Sequence, residues 1–314
     1  MKDHPRQYRL TRREFVRLMA AAGLGAALTS CGKEGTQRER PTPTGEAAYL
    51  AVARGDDPKA ITGAALAAIG GIERFVKSGD DVIVKPNICV DYRTYEYGAT
   101  TNPEVVAALV ELCLGAGAKR VRVMDTPFGG GPESAYARSG IADAVASVGG
   151  EMEVMNRAKF RETEIPDGRD ISSWSVYQDI LTADVVINVP VAKHHNLARL
   201  SLAGKNLLGV VQRPSRMHVN LPQRIADLVS LVRPSLTVVD AVRVLMKRGP
   251  TGGNLDDVVL RNTVIASHDI VAADAYATTL FDLTGEDILY VKAAAEMGLG
   301  TLDLTSIKVE EIAL

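Results

Sequence analysis

Short apolar runs alternate with longer helical stretches over most of the chain after residue 80. Apolar runs that are bounded by Gly, Pro, Asn or Asp predict buried strands. The predicted strands are Asp81–Lys85, Arg120–Asp125, Glu151–Met155, Val185–Val189, Ser235–Asp240, Val258–Ala266 and Ser306–Glu310. Their alternation with helices predicts an α/β fold with a mainly parallel sheet and flanking helices. One form of this fold would have two lobes that meet near residue 184.

Capping residues mark where two of the helices begin. Asn102 followed by Pro103 predicts a helix that continues to Leu114, because Asn is a favoured N-cap and Pro is favoured in the first turn. Asp269 similarly predicts a helix over Ile270–Leu283. Periodicity alone predicts three more, over Ser134–Val148, Pro222–Val232 and Ile288–Met297.

The N-terminal segment has the pattern of an export signal. A twin-arginine motif in Thr11–Val16 precedes a small-residue apolar run that ends at Cys31, and this end resembles a bacterial lipobox. We therefore expect residues 1–31 to be a signal peptide, 32–46 a flexible tether and 47–314 the folded domain. The alternative is an ordinary N-terminal helix.

This export signal predicts a location and two kinds of partner. The twin-arginine translocase would export the folded protein, and a lipid on Cys31 would hold it on the periplasmic or cell-surface side of a membrane. The apolar run is too short to span a bilayer as an anchor. The lipid is therefore the only membrane contact that we expect.

Composition and cysteine count exclude several classes of protein. With 46% hydrophobic and 24% charged residues and a net charge of −2, the chain is typical of globular proteins and has no overall attraction to nucleic acid. Beyond Cys31 only Cys89 and Cys113 remain, and no CxxC motif occurs. We therefore expect no iron–sulfur cluster and no structural zinc site. Whether the two cysteines pair is left open.

One segment carries charge of a single sign. Residues 185–226, the basic segment, contain no Asp or Glu, but they contain Lys193, Arg199, Lys205, Arg213, Arg216, Arg224 and three of the five histidines. The segment begins with a predicted strand, and carboxyl ends of parallel strands converge on the ligand crevice of open α/β sheets. The pattern predicts the wall of a site for an anion, a metal ion or both.

Polar residues at the ends of several strands point to the same crevice. They are Lys85, Asn87, Asp125, Asn188 and Asp240. Each one alone is often only a helix cap or a turn residue. Their repetition at strand ends indicates that they border one cleft.

Lysines and histidines of the basic segment are the candidates for chemistry. His195 and His218 could bind a transition metal or act as acid and base. Lys193 and Lys205 have basic neighbours, which lower the pKa of an amine and make it a better nucleophile. The alternative for each residue is an ordinary solvated or hydrogen-bonded side chain. Gly249–Gly253 could offer backbone N–H groups to an anion, or form a plain turn.

Eight motifs together resemble one family. They are Val84–Asn87, Thr101–Val106, Lys193–His195, Gly204–Gly209, His218, Val239–Asp240, Gly249–Pro250 and Asp269–Asp274. This set resembles the domain of unknown function 362 family over nearly all of residues 50–312. The resemblance implies a fold but no agreed reaction. Some relatives carry a ferredoxin-like cysteine module, which this sequence lacks.

A remoter resemblance is to the lactate racemase family, whose members bind a nickel-pincer nucleotide. Those enzymes attach the cofactor to a Lys that follows a His, and a further His binds nickel. His195, Lys205 and His218 occur here in that order. The resemblance implies such a cofactor, although Asn206 follows the lysine here.

These observations predict an exported enzyme that acts on an anionic small molecule, as a metal-dependent isomerase or racemase or as a redox enzyme. We expect Lys205, Lys193 and Asp240 to be catalytic and His195 and His218 to bind a metal. Lys85, Asn87, Lys205 and Asn206 are expected to bind the cofactor. The alternatives are a non-catalytic lipoprotein that delivers an anion or cofactor to a transporter or redox partner, and a purely structural envelope protein.

Overall fold

The computed structural model describes residues 48–314, so the predicted signal peptide, the tether and Cys31 lie outside the described residues. The strands are β1 Leu50–Arg54, β2 Asp81–Pro86, β3 Arg120–Val123, β4 Glu151–Met152, β5 Phe160–Glu164, β6 Ser173–Tyr177, β7 Val185–Val189, β8 Val191–His195, β9 Arg199–Ser201, β10 Leu236–Leu245, β11 Val258–Ser267 and β12 Val309–Ala313. The α-helices are α1 Pro58–Ala68, α2 Pro103–Gly115, α3 Pro132–Arg138, α4 Ile141–Ser147, α5 Gln178–Thr182, α6 Ala203–Asn206, α7 Leu221–Val232, α8 Ile270–Thr278 and α9 Leu289–Glu296.

A ten-stranded sheet forms the centre of the described domain. Its strand order is β12-β1-β11-β10-β7-β2-β3-β4, while β8 pairs with β10 and with β9. The pairs from β10 through β7, β2, β3 and β4 are all parallel, and β11 is antiparallel to both of its neighbours. The predicted α/β fold with a mainly parallel sheet is confirmed. Strands from before and after residue 184, the expected boundary between two lobes, belong to this one sheet.

Helices cover both faces of the sheet. In β2, Val82 and Val84 belong to one hydrophobic core, and Ile83 belongs to the other. Alternate residues of a strand point to opposite faces, so the continuous apolar run of β2 supplies both cores. Helices α1 and α2 pack in the core of Val82, and α7, α8 and α9 pack in the core of Ile83.

The predicted caps of two helices are confirmed. Asn102 Oδ1 accepts a hydrogen bond from Glu104 N at 2.9 Å at the start of α2. Asp269 Oδ1 accepts hydrogen bonds from Val271 N at 2.8 Å and Ala272 N at 3.0 Å at the start of α8. None of the helices in residues 48–314 has the length and apolar composition needed to cross a membrane.

Two predicted helices end earlier than expected. The single helix expected over residues 134–148 is two helices, α3 and α4, because Gly140 between them has a φ of 79°. Helix α8 ends at Thr278 rather than Leu283, and a 3-10 turn over Thr279–Phe281 follows it and ends at Asp282, which has a φ of 57°. A left-handed residue cannot continue a right-handed helix, so each of these positions ends one.

Strand β8, which was not predicted from the sequence, positions the site. Pro190 interrupts the chain after β7, and β8 then resumes an extended path beside the same long partner, β10. Pro190 cannot donate a ladder hydrogen bond, but its carbonyl accepts one from Asp240 N at 2.8 Å. The chain therefore continues beyond the end of β7 and carries Lys193 and His195 over the carboxyl ends of the parallel strands.

Candidate functional site

A cavity of about 520 Å³ lies at the carboxyl ends of β2, β3 and β8. Its buried polar surface, which we call the floor, includes six side chains: Lys85, Cys89, Asp125, Lys193, His195 and Asn206. Asn87, Lys205 and His218 also line the cavity. The structure thus brings together seven of the eight side chains predicted for catalysis, cofactor or metal binding, and Asp240 is the exception.

Lys85 forms a buried ion pair with Asp125. Lys85 Nζ donates hydrogen bonds to Asp125 Oδ1 at 2.7 Å and Pro86 O at 2.8 Å, and Ile88 N donates to Asp125 Oδ2 at 2.7 Å. Burial lowers the pKa of Lys85 and raises the pKa of Asp125, while their mutual attraction opposes both shifts. The carboxylate balances the charge of this lysine, so Lys85 adds little net positive charge to the floor.

Gly209 packs directly over this ion pair. A Cβ atom at Gly209 would lie 2.0 Å from Asp125 Oδ1 and 2.8 Å from Lys85 Nζ. Both distances are far below van der Waals contact. The last glycine of the Gly204–Gly209 motif is therefore needed for this close approach.

Lys193 is held by oxygen atoms of neutral groups. Its Nζ donates to Asn87 Oδ1 at 2.8 Å and to Ala99 O at 2.6 Å, and it also contacts the thiol of Cys89. Burial lowers the pKa of Lys193. No carboxylate of residues 48–314 forms an ion pair with it.

Asn206 joins the two buried lysines into one network. Its Oδ1 accepts hydrogen bonds from Asn87 Nδ2 at 2.9 Å and Lys85 Nζ at 3.1 Å. Its Nδ2 donates to Asn188 Oδ1 at 2.8 Å. Each amide therefore has a defined orientation, and the floor is rigid before any ligand binds.

Lys205 differs from the other two lysines. Its Nζ has no hydrogen bond and no ion pair with any side chain of residues 48–314. Burial, together with the like charge of Lys193, lowers the pKa of Lys205 to about 8. The expected depression by basic neighbours is thus present, but burial is its larger cause. Part of this amine is neutral near neutral pH and available as a nucleophile or base.

His195 is a neutral hydrogen-bond donor. Its Nδ1 accepts hydrogen bonds from Leu197 N and Ala198 N, both at 3.1 Å. Backbone amides can only donate, so the ring proton of the neutral histidine is on Nε2. Burial, together with Lys205 and Lys193, lowers the pKa of His195 to about 3. The ring therefore stays uncharged and carries an N–H group.

His218 has the opposite arrangement at the exposed side of the cavity. Its Nδ1 lies 3.0 Å from Ser215 O, which can only accept. In the neutral form Nδ1 therefore carries the proton, and Nε2 has a free lone pair. His218 can accept a proton, whereas His195 can donate a hydrogen bond.

The donor set does not fit the expected metal site. Across residues 48–314, no three His, Cys, Asp or Glu side chains are grouped so that they could hold a metal ion. His195 would bind a metal through Nε2, but that nitrogen carries the proton. His195 therefore does not fit the metal-ligand role expected of it, whereas the free Nε2 lone pair of His218 and the free amine of Lys205 fit the single nickel ligand and the covalent attachment that the nickel-pincer nucleotide would need.

Asp240 lies outside the cavity lining and makes structural hydrogen bonds. Its carboxylate accepts hydrogen bonds from Asn102 N at 2.7 Å and Val242 N at 3.0 Å. Burial raises the pKa of Asp240 to about 6. The side chain holds the start of α2 against β10, and its strand-end position alone could not distinguish this role from a catalytic one.

Acids from other parts of the chain neutralise two of the arginines in the basic segment. Arg199 Nη1 lies 3.3 Å from Asp287 Oδ1, and Arg224 forms an ion pair with Asp170. The Gly249 N–H group, a candidate for anion binding, donates to His194 Nδ1 at 3.2 Å. The positive charge that faces the cavity therefore comes from its lysines.

Asp274 supports the site but was not identified as a site residue from the sequence. Its carboxylate accepts hydrogen bonds from Ala203 N at 2.6 Å and Gly204 N at 2.9 Å, at the start of the helix that carries Lys205. Burial raises the pKa of Asp274 to about 7. It closes the Asp269–Asp274 motif, and that motif was the only signal in the sequence.

Cys89 and Cys113 are both buried free thiols, so they do not pair in this structure. Cys89 lines the cavity, and Sγ lies 3.6 Å from Pro250 O. Cys113 lies within α2 on its buried face, where burial raises the pKa of its thiol to about 12. Only Cys89 is placed to meet a ligand.

Comparison with known proteins identifies relatives at the level of family and fold. Residues 82–279 match the model of a domain of unknown function (DUF362). A thylakoid-associated protein of Synechocystis sp. is 29% identical over 248 residues, which cover 74% of this chain and 72% of that protein.

Two solved structures align with parts of this chain. The lactate racemase apoprotein from Thermoanaerobacterium thermosaccharolyticum aligns with a TM-score of 0.48 and 11% identity, covering 73% of this chain and 56% of that one. A Thermotoga maritima protein aligns with a TM-score of 0.39 and 13% identity, covering 73% and 60%. The chain thus spans less than two thirds of either structure. Similarity at these TM-scores supports no argument about activity.

Proposed function

The chain belongs to the DUF362 family, and from the chemistry of its cavity we propose that it is an enzyme acting on an anionic small molecule. One observation carries this proposal: the amine of Lys205 lies in the cavity without a hydrogen bond, and its pKa is lowered to about 8. A lysine that only stabilised the fold would be expected to have an acceptor. Perturbed and unpaired groups in a cavity are typical of functional sites.

The balance of charge favours an anionic ligand. Asp125 compensates Lys85, whereas Lys193 and Lys205 have no carboxylate partner among residues 48–314. His195 is neutral, and no acid of residues 48–314 is among the groups that shift its pKa. A carboxylate or phosphate would therefore meet two lysine amines that no acid neutralises, and its binding would favour their protonated forms.

Three residues have complementary chemical capacities. Neutral Lys205 can attack a carbonyl carbon or remove a proton. His195 can donate its Nε2–H to an oxygen that becomes negative during the reaction. His218 can accept a proton at Nε2 and exchange it with solvent, because it is exposed. Together they are suited to acyl, carbonyl or proton-transfer chemistry.

A labelling experiment tests the reactive amine. Pyridoxal 5′-phosphate carries an aldehyde and a phosphate, and its aldehyde condenses with a neutral lysine to an imine with loss of water. Borohydride then reduces the imine to a stable secondary amine. We expect Lys205 to be labelled first near pH 8, and more readily than by pyridoxal, which lacks the phosphate. Peptide mass analysis locates the label, and Lys205→Met is the negative control.

Two other labelling results would argue against an enzyme with a reactive Lys205. Equal labelling of Lys205 and of exposed lysines, with no preference for the phosphate form, would contradict the proposal. Protection of the cavity by phosphate without modification of Lys205 would instead favour the non-catalytic anion-binding lipoprotein. That function requires the charges of the floor but not a nucleophilic amine.

We also propose that the protein is exported through the twin-arginine translocase and anchored by a lipid on Cys31. Support comes from the order of Arg12, Arg13, the apolar run and Cys31, all of which lie outside the described residues. The Synechocystis relative is named as thylakoid-associated. Association of that protein with a membrane system is compatible with a lipid anchor here.

A further inference from the structure

The mouth of the cavity is apolar, although its floor is polar. Exposed lining residues come from three loops, and two of them are large and apolar: Phe128 is 76% exposed and Leu197 is 70% exposed. We call this pair the mouth. Lys85 and Lys193 beneath it are only 1% exposed. The cavity therefore changes from charged to apolar along its depth.

Backbone hydrogen bonds connect both mouth residues to the floor. Phe128 N donates to Cys89 O at 2.8 Å, and Leu197 N donates to His195 Nδ1 at 3.1 Å. The two side chains thus extend from anchored positions next to the polar groups. Exposed apolar side chains that are held beside a polar pocket indicate a surface that a ligand covers.

We propose that the ligand is an amphipathic anion, with a phosphate or carboxylate at the floor and an apolar body against Phe128 and Leu197. This inference rests on the proposed anion site and adds the class of molecule that occupies it. The volume of about 520 Å³ supports it, because cavities of several hundred Å³ accommodate whole small molecules. A bare phosphate would leave the mouth uncovered.

A homologous series of ligands tests the apolar part. Binding of inorganic phosphate and of methyl, butyl and hexyl phosphate is measured by calorimetry. Each methylene that contacts the mouth should raise affinity about fourfold, equivalent to about 0.8 kcal/mol. Phe128→Ser and Leu197→Ser should reduce this increment, with inorganic phosphate, which has no apolar part, as the reference ligand for each variant. Both residues are exposed, so neither substitution should prevent folding.

Val219 provides a matched control. It is 79% exposed and follows His218 directly, but it does not line the cavity. Val219→Ser should leave the dependence on chain length unchanged. If inorganic phosphate binds wild-type protein as tightly as hexyl phosphate does, or if all three Ser variants behave alike, the proposal of an apolar body is wrong.

Further measurements distinguish the proposed apolar contact from the anion site itself and from binding to a membrane surface. Lys205→Met should weaken all the phosphates about equally, and an unchanged affinity would contradict the proposed function while leaving the chain-length effect intact. Absence of binding by every phosphate and by hexanoate, which carries a carboxylate instead, would overturn both proposals. Phe128-dependent sedimentation with phosphatidylglycerol vesicles, without binding of soluble alkyl phosphates, would assign the mouth to a lipid surface and overturn the small-molecule proposal.

Discussion

The two histidines of the cavity hold their protons on opposite ring nitrogens. Backbone amides at Nδ1 leave His195 with a proton on Nε2, whereas the carbonyl of Ser215 leaves neutral His218 with a free Nε2. Local backbone contacts thus decide which histidine donates and which accepts. The same contacts make His195 unsuitable as a metal ligand, although a histidine in a basic segment is a reasonable candidate by sequence.

Replacing Lys205 should stabilise the protein. Its pKa is lowered to about 8 from an unfolded value of 10.5, so the unfolded state binds a proton more tightly. The stabilising contribution of this group is present above pH 10.5 and is lost as pH falls through about 8. At pH 7, Lys205→Met should therefore raise the free energy of unfolding by on the order of 1–3 kcal/mol.

The gain from Lys205→Met should shrink as the pH approaches 10. Urea denaturation at pH 7 and pH 10 measures it, and Lys247→Met on the exposed surface is the control. Destabilisation by Lys205→Met at pH 7 would mean that the amine has an important partner, contrary to the structure.

Gly209→Ala should disturb the buried ion pair. The added Cβ would lie 2.0 Å from Asp125 Oδ1, and neither partner can move freely because both are buried and hydrogen-bonded. We expect a loss of about 1–3 kcal/mol in unfolding free energy, which is typical of overpacking. Thermal or urea denaturation measures the change.

Gly63→Ala is the matched control for this substitution. Gly63 lies within α1, and a Cβ there would have no atom within 4 Å. Ala is the better helix former by about 0.5–1 kcal/mol, so this variant should be slightly stabilised. Equal effects of the two substitutions would rule out the close approach at Gly209.

At the scale of elements, the helix that carries Lys205 depends on its neighbours. Helix α6 is four residues long, and a helix of this length is not stable by itself in water. Asp274 binds its first amides, and Asn188 Nδ2 donates to Ala203 O at 2.9 Å. Helix α8 and strand β7 thereby fix a segment whose own propensity is insufficient.

Asp274→Ala should therefore be strongly destabilising. It leaves two buried N–H groups without an acceptor, which costs on the order of 2–4 kcal/mol in unfolding free energy. The folded pKa of about 7 exceeds the unfolded value of 3.8. The contribution of Asp274 is thus complete below pH 3.8 and decreases as pH rises through about 7.

Urea denaturation at pH 5 and pH 8 tests this dependence, and the loss should be larger at pH 5. Asp303→Ala is the control, because Asp303 caps an exposed turn through Thr305 N at 3.0 Å. It should have a much smaller effect on stability, because the turn that it caps is exposed. A larger loss for Asp303→Ala than for Asp274→Ala would contradict the supporting role of Asp274.

At the scale of the whole molecule, strand β8 brings the basic segment to the sheet. Strand β10 is ten residues long and pairs first with β7 and then with β8. Because β10 extends beyond β7, the chain pairs with it again after Pro190, and this pairing places Lys193 and His195 above β2 and β3. The cavity is therefore a property of the sheet as a whole.

The location of the molecule is testable independently of its site. Changing Arg12 and Arg13 together to Lys should leave precursor in the cytoplasm, because the translocase recognises the arginine pair. Cys31→Ala should abolish incorporation of labelled lipid while the domain still folds. Uncleaved wild-type protein in the cytosol would refute the proposed export. Cell fractionation and fatty-acid labelling provide the measurements.

Local patterns in the sequence determined the class of the fold and most of its elements. Apolar runs predicted the strands, and Asn102 and Asp269 marked helix starts, because period and capping are short-range properties. The polar residues at strand ends indicated a cleft for a similar reason, since parallel strands share one edge. The sequence also determined family membership, through motifs spread over residues 82–279.

Tertiary structure alone decided the chemistry of each group. Three lysines look alike in sequence, but one is paired with Asp125, one is bound by neutral oxygens and one is free. Asp240 resembles the other strand-end residues but turns to the start of α2. The partners that distinguish these groups, such as Asp125 for Lys85, Asn87 for Lys193 and Asn102 for Asp240, are distant in the chain, and no local pattern specifies those contacts.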